Sequence, residues 1–394
     1  MSNIALVRQV FSNLSWSDKL LPINIIIAII IGLVISKYSE SARNAFQGEK
    51  VLNVPIPLAI GMIIMMVPPL CKVQWENMIV LFKKKNFREQ MFISLVIGWV
   101  LCPFLMFGLA WLTLFDQDEY RIGVILIGCA RCIAMVLVWN EVAGGDTDLC
   151  AVLVIINSVL QIILYAPYKI LFCDIMGGNG LFQGDTISTT YQTVAQTVGF
   201  FLGVPMAGGF LIRSIGMLTI GVNKFEKNIM PFIGPFGMIG LLYTIIVIFI
   251  EKGDDFLQEI GTAFRCFVPL ISYFIISWSV AFFGLRFWDS RRQLKLGNYD
   301  RLTTCGCEKN KEQYESRKKS KGWCSASYSQ VITQSLVASS NNFELSLTVA
   351  IALYGTDSRQ AIAATFGPLV EIPVLLILCF VSRFFQEKLL WKDV

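Results

Sequence analysis

Ten apolar runs, each of about 18 or more residues, set what this chain can fold into, because that is the length an α-helix needs to cross the hydrocarbon of a bilayer. They lie near 20–37, 55–71, 91–115, 122–140, 149–173, 193–213, 229–250, 262–285, 327–354 and 360–384. The runs predict an all-α membrane protein with ten transmembrane helices. Only 15% of the residues are charged, against about 25% in a soluble domain. The first run follows Asn13, Ser15, Ser17 and Asp18 and has no small-residue cleavage pattern behind it. It therefore reads as a retained span and not a signal peptide.

Two of the runs are interrupted by polar residues at depth. The fourth reads Gly128-Cys129-Ala130-Arg131-Cys132-Ile133 and the ninth reads Ser339-Ser340-Asn341-Asn342-Phe343-Glu344. Charged side chains in hydrocarbon cost several kcal/mol, so a chain keeps them where they face a pathway or a partner. Breaks in corresponding positions of two halves point to a transporter's binding site. Freed backbone groups there must be satisfied by protein or by a water-lined cavity. If spans four and nine cross at the breaks, Arg131, Cys132, Asn341, Asn342 and Glu344 are expected to converge on one small volume. Asn157 and Gln161, four residues apart in span five, share a helix face, and Glu371 lies in span ten.

An internal repeat accounts for the correspondence. A shift of 210 residues places Arg131 on Asn341, Cys132 on Asn342, Gly145 on Gly355 and Gln161 on Glu371. Five spans is an odd number, so the second copy enters from the opposite face. The expected architecture is two inverted five-helix repeats, 20–173 and 193–384, with broken crossing helices four and nine. A cytoplasmic N-terminal segment, 1–19, precedes them. An external linker, 174–192, joins them, and a cytoplasmic tail, 385–394, follows.

The basic residues orient the chain. Residues 72–90 hold Lys72, Lys83, Lys84, Lys85 and Arg88, and the 286–326 loop holds eleven Lys or Arg against five Asp or Glu. The opposite loops, such as Asp116-Gln117-Asp118-Glu119, are acidic or nearly neutral. The positive-inside rule then puts both termini and the basic loop in the cytoplasm, with Lys37, Arg43 and Lys50 dissenting.

There is no histidine among the 394 residues. Zinc sites of the Cys–His type and histidine acid–base catalysis are thereby excluded, and a proton carried near neutral pH must use a carboxylate, a thiol or water. Nothing calls for a cofactor or a nucleic acid. The eleven cysteines do not form a disulfide framework: most lie in or at the ends of spans, and Cys305, Cys307 and Cys324 lie in the cytoplasmic loop, where thiols stay reduced.

The segment Gly128-Cys129-Ala130-Arg131-Cys132-Ile133-Ala134-Met135 with Ala143-Gly144-Gly145-Asp146 closely resembles the signature of the arsenical-resistance arsenite efflux permeases. Asn157-Ser158-Val159-Leu160-Gln161, Asn341-Asn342-Phe343-Glu344 and the stretch from Ala361 to Pro373 resemble further segments of that family. The family lies in the bile acid, arsenite and riboflavin transporter superfamily, with ten helices in two inverted repeats. The resemblance implies efflux of arsenite, and in some members antimonite, across the plasma membrane in exchange for protons. It also implies that Cys132 is essential and that Arg131, Asn157, Glu344 and Glu371 are functional.

The residue chemistry agrees. Arsenite is a small, mostly uncharged trihydroxide with a soft central atom that prefers sulfur, and its hydroxyls need hydrogen-bond partners. Cys132 is expected to contact the metalloid, with the Arg131 guanidinium beside it favouring thiolate. Glu344 and Glu371 are the candidate proton carriers, with Glu344 expected to pair with Arg131 when ionised. The alternative is a sodium-coupled organic-anion symporter of the same superfamily, in which these carboxylates and Gln161 would ligate sodium and Cys132 would stand idle.

Overall fold

The computed structural model describes residues 16–39, 41, 48–73, 75–77, 85–133, 135–177, 184–258, 260–295, 326–355, 358–389 and 391. Cys305, Cys307, Cys324 and most of the 286–326 loop lie outside the described residues.

Helices dominate, as the runs predict. In chain order they are α1 (Trp16–Tyr38), α2 (Ile56–Lys72), α3 (Lys85–Leu95), α4 (Cys102–Thr113), α5 (Asp118–Cys129), α6 (Met135–Ala143) and α7 (Thr147–Lys169). They continue as α8 (Gly184–Ile220), α9 (Met230–Gln258), α10 (Ile260–Arg265), α11 (Phe267–Lys295), α12 (Tyr328–Ser339), α13 (Phe343–Tyr354) and α14 (Arg359–Lys388). A π-helical stretch, Val96–Leu101, makes α3 and α4 one continuous rod. Among the described residues, six helical segments are long and apolar enough to cross a membrane, and α1, α2 and α13 contribute shorter apolar helices. The protein is a multi-pass, all-α membrane protein.

Local chemistry starts and stops these elements. The Asp146 side chain caps α7 by accepting from Leu149 N at 2.9 Å, and Ser358 caps α14 by accepting from Ala361 N at 3.2 Å; each satisfies a backbone donor left free at a helix start. Between α1 and α2 the structure adds a feature absent from the apolar pattern, a hairpin of β1 (Lys50–Val51) and β2 (Val54–Pro55). Its two turn residues, Leu52 and Asn53, both have positive φ, the backbone that a tight two-residue hairpin demands. Asn53 Nδ2 donates to Ala352 O at 3.1 Å and pins the hairpin to α13.

Two groups of helices pack around the site. In the first, α9 lies along α1 and α2, and α8 packs on α2. The contact is close because a β-carbon at Gly240 would sit 2.7 Å from Met65 N, and one at Gly61 would sit 2.6 Å from Thr244 Oγ1; small residues let membrane helices approach backbone to backbone. Buried Arg213 ties the ends of this group together, binding Glu76 at 2.6 and 3.1 Å and Glu226 at 3.0 Å. In the second group α4, α5, α11, α12, α13 and α14 pack together, and α8 joins the two groups through α7 and α13. Exposed apolar faces, such as Ile23, Ile26 and Ile30 of α1, are where lipid would lie.

Candidate functional site

The fourth and ninth apolar runs are each two half-helices. Ala130 leaves α5 in an extended conformation (φ −101°, ψ 133°), and Ser340 leaves α12 in the same way (φ −89°, ψ 141°). Serine and asparagine favour such exits because their side chains compete for backbone groups. Asn342 then starts α13, its Oδ1 accepting from Leu345 N at 3.0 Å. The two extended segments cross and pair. Arg131 and Asn341 form an antiparallel bridge, with Cys132 N donating to Ser340 O and Asn342 N donating to Ala130 O, both at 3.4 Å. The breaks thus satisfy part of each other's backbone where water is scarce.

Flanking helices hold the bridge. Gln161 of α7 accepts from Arg131 N at 2.5 Å, and Glu371 of α14 accepts a short hydrogen bond from Ser340 Oγ. Asn341 Nδ2 donates to Ile127 O at 2.7 Å. Asn157 lies one turn before Gln161 in α7, where its Oδ1 accepts from Trp99 Nε1 at 3.0 Å.

Side chains alternate across an extended segment, and that alternation divides the predicted cluster. Arg131 is buried, with Nη1 donating to Tyr273 Oη at 3.0 Å and Ala338 O at 3.3 Å, and Nη2 donating to Gly128 O at 2.7 Å. Cys132, Asn342 and Glu344 instead line a small cavity against Met65, Met66 and Leu202. Among the described residues Arg131 makes no ion pair in this structure, and its guanidinium is held by helix ends and not beside the Cys132 thiol, where it was expected. The reason is the extended backbone, which turns neighbouring side chains to opposite faces.

The cavity has the chemistry of a small-solute site. It sits at the N-terminal ends of α6 and α13, which carry partial positive charge. Among the described residues the buried Asn342 Nδ2 has no partner, so an unused donor sits on a residue that lines the cavity. Met65, Met135 and Glu344 also line a larger cavity that extends to Lys72 and Glu141. Another cavity continues from Lys72 and Glu141 to Asp148. Among the described residues no group of three or more acidic, cysteine or histidine side chains could hold a metal ion.

Sequence reading missed Tyr273, Ser340 and the methionines. Tyr273 carries a hydroxyl in the middle of an apolar helix, which marks it as needing a partner. Met62, Met65 and Met66 share a helical spacing in α2 that reads equally well as packing.

Discontinuous helices crossing at depth, with a cavity at their half-helix ends, define a secondary transporter. The model of the sodium bile acid symporter family matches residues 59–259. The chain is 34% identical over 394 residues to the arsenical-resistance protein Acr3 of Corynebacterium glutamicum, covering 100% of this chain and 96% of the relative. It is 26% identical over 393 residues to an uncharacterized transporter of Synechocystis, covering 94% and 89%. It is 24% identical over 381 residues to the Acr3 of Alkaliphilus metalliredigens, covering 94% and 93%. The chain belongs to the arsenical-resistance permease family within the bile acid symporter superfamily, and it is a transporter, not an enzyme.

Proposed function

We propose that this protein exports trivalent arsenic as arsenite, with antimonite as a second cargo, across the plasma membrane in exchange for protons, and so confers arsenic resistance. The observation that carries this reading is the cavity at the crossing, which Cys132, Asn342 with its unused Nδ2 donor and Glu344 line together. Condensation of the Cys132 thiol with one As–OH forms an S–As bond and releases water, and hydrolysis reverses it. The Asn342 amide donates to a remaining hydroxyl, while Glu344 accepts a hydrogen bond or takes up the counter-transported proton. A single soft ligand lets the cargo leave, where three would retain it.

The architecture we infer is ten helices in two inverted repeats, 20–173 and 193–384, with both termini and the 286–326 loop in the cytoplasm. The hydrogen bonds support it. Residues 210 apart, Arg131 and Asn341, pair with each other, while Gln161 and Glu371, also 210 apart, each hold the break of their own repeat. In this orientation the cavities from Cys132 to Lys72, Glu141 and Asp148 open toward the cytoplasm, the side from which an exporter loads.

The test is arsenite uptake by everted membrane vesicles. An acid-inside gradient without sodium is expected to drive accumulation. Uptake that requires a sodium gradient and ignores pH would replace proton exchange with sodium coupling.

A further inference from the structure

The guanidinium of Arg131 binds the ends of two half-helices at once. Gly128 and Ala338 are each one residue short of the last residue of α5 and α12, and they are 210 residues apart in the chain. Carbonyls in a last turn lack intrahelical donors and carry the negative end of the helix dipole. Here both ends converge on Arg131, through Nη2 to Gly128 O at 2.7 Å and Nη1 to Ala338 O at 3.3 Å. The Tyr273 hydroxyl completes the set, accepting from Nη1 at 3.0 Å while donating to Ala338 O at 3.0 Å. Arg131 is 1% exposed and, among the described residues, has no carboxylate partner, so the helix ends are its counter-charge. In transporters with broken helices, unwound carbonyls and half-helix C-termini are the groups that coordinate a coupling cation.

We propose that Arg131 is a built-in cation, covalently tethered in a monovalent-cation site formed by Gly128 O, Ala338 O and Tyr273 Oη, and that removing its side chain opens this site to a free cation. A tethered charge neutralises the crossing in every transport state and is never released, so no dissociable cation is needed there. Arg131 is then a positioning residue for the crossing and not a ligand of the cargo. The inference does not depend on what the cargo is, and its readout is stability, so it can fail while the function proposed above stands.

The test measures thermal unfolding of the purified full-length protein in detergent for wild type, Arg131→Ala, Arg131→Gln and Arg131→Lys. Each is titrated with ethylguanidinium or sodium, with choline as the ionic-strength control. Arg131→Ala should be less stable than wild type and should regain about 2 °C, saturably, with ethylguanidinium or sodium at tenfold its dissociation constant. Wild type and Arg131→Lys should not respond, and choline should do nothing. If Arg131→Ala does not accumulate, Arg131→Lys should accumulate well above Arg131→Gln. The proposal is overturned if Arg131→Ala is indifferent to both cations, if wild type responds equally, or if Arg131→Gln matches Arg131→Lys in stability and yield.

Discussion

Arg131 and Asn341 pair backbone to backbone as an antiparallel bridge, although 210 residues separate them and each interrupts a different apolar run. The bridge joins the two breaks into one object. Its two faces do different work: the Arg131 face is closed by carbonyls and a tyrosine, and the Cys132 face opens into a cavity.

Cys132→Ser tests the open face. Serine keeps the size but presents a hard oxygen to a soft centre. Arsenite flux in vesicles should fall to background while the membrane level of the protein is unchanged. Normal flux in this variant would remove the thiol from the mechanism.

Asn342 has two roles that can be separated. Its Oδ1 caps α13, and among the described residues its buried Nδ2 has no partner. Asn342→Asp keeps the cap and loses the donor, so melting should stay near wild type while arsenite flux drops. Asn342→Ala also loses the cap, at about 1 kcal/mol, and should melt earlier than Asn342→Asp. Equal flux in wild type and Asn342→Asp would show that the donor does not touch cargo.

Two carboxyls compete for the role of proton carrier. Glu344 lines both the cavity at the crossing and the larger one that leads out of it, whereas Glu371 is buried and engaged with Ser340. Glu344→Gln should lose pH-driven net flux while retaining arsenite–arsenite exchange, and Glu371→Gln should stay coupled. The reverse pattern would make Glu371 the carrier.

Away from the membrane interior, Arg265 donates two hydrogen bonds to Asp116 at 2.6 and 2.8 Å and pulls its carboxyl down to about 2 from an ordinary 3.8. A carboxyl with a depressed folded pKa adds stability above its unfolded pKa and loses it as pH falls through the folded value. The melting difference between wild type and Asp116→Asn should therefore be constant from neutral pH down to about 5 and close between about 4 and about 2. A gap that widens on acidification would contradict this ion pair. Both groups are well exposed, so the gap itself should be small.

The breaks were legible because Arg131 and the Asn341-Asn342 pair stand in runs that are otherwise apolar. The equivalence of Gln161 and Glu371 follows from the same 210-residue shift, but not that each holds one of the two breaks. What could not be read was the division of the site. Hydropathy locates Arg131 and Cys132 at one depth but carries no information on backbone alternation, so the two looked like neighbours on one face. Tyr273 and Met65 reach the crossing from α11 and α2 only through tertiary packing. Helix ends also exceed the apolar runs: α8 begins at Gly184, not near 193, and α11 continues to Lys295, beyond the expected end near 285. Polar helix turns outside the hydrocarbon leave no apolar signal.

The most direct test of the account is X-ray absorption at the arsenic edge on arsenite-loaded protein. One thiol at the crossing predicts an arsenic bound by one sulfur and two oxygens, with the sulfur contribution lost in Cys132→Ser. Arsenic bound by three sulfurs, or a sulfur contribution that persists in Cys132→Ser, would contradict it.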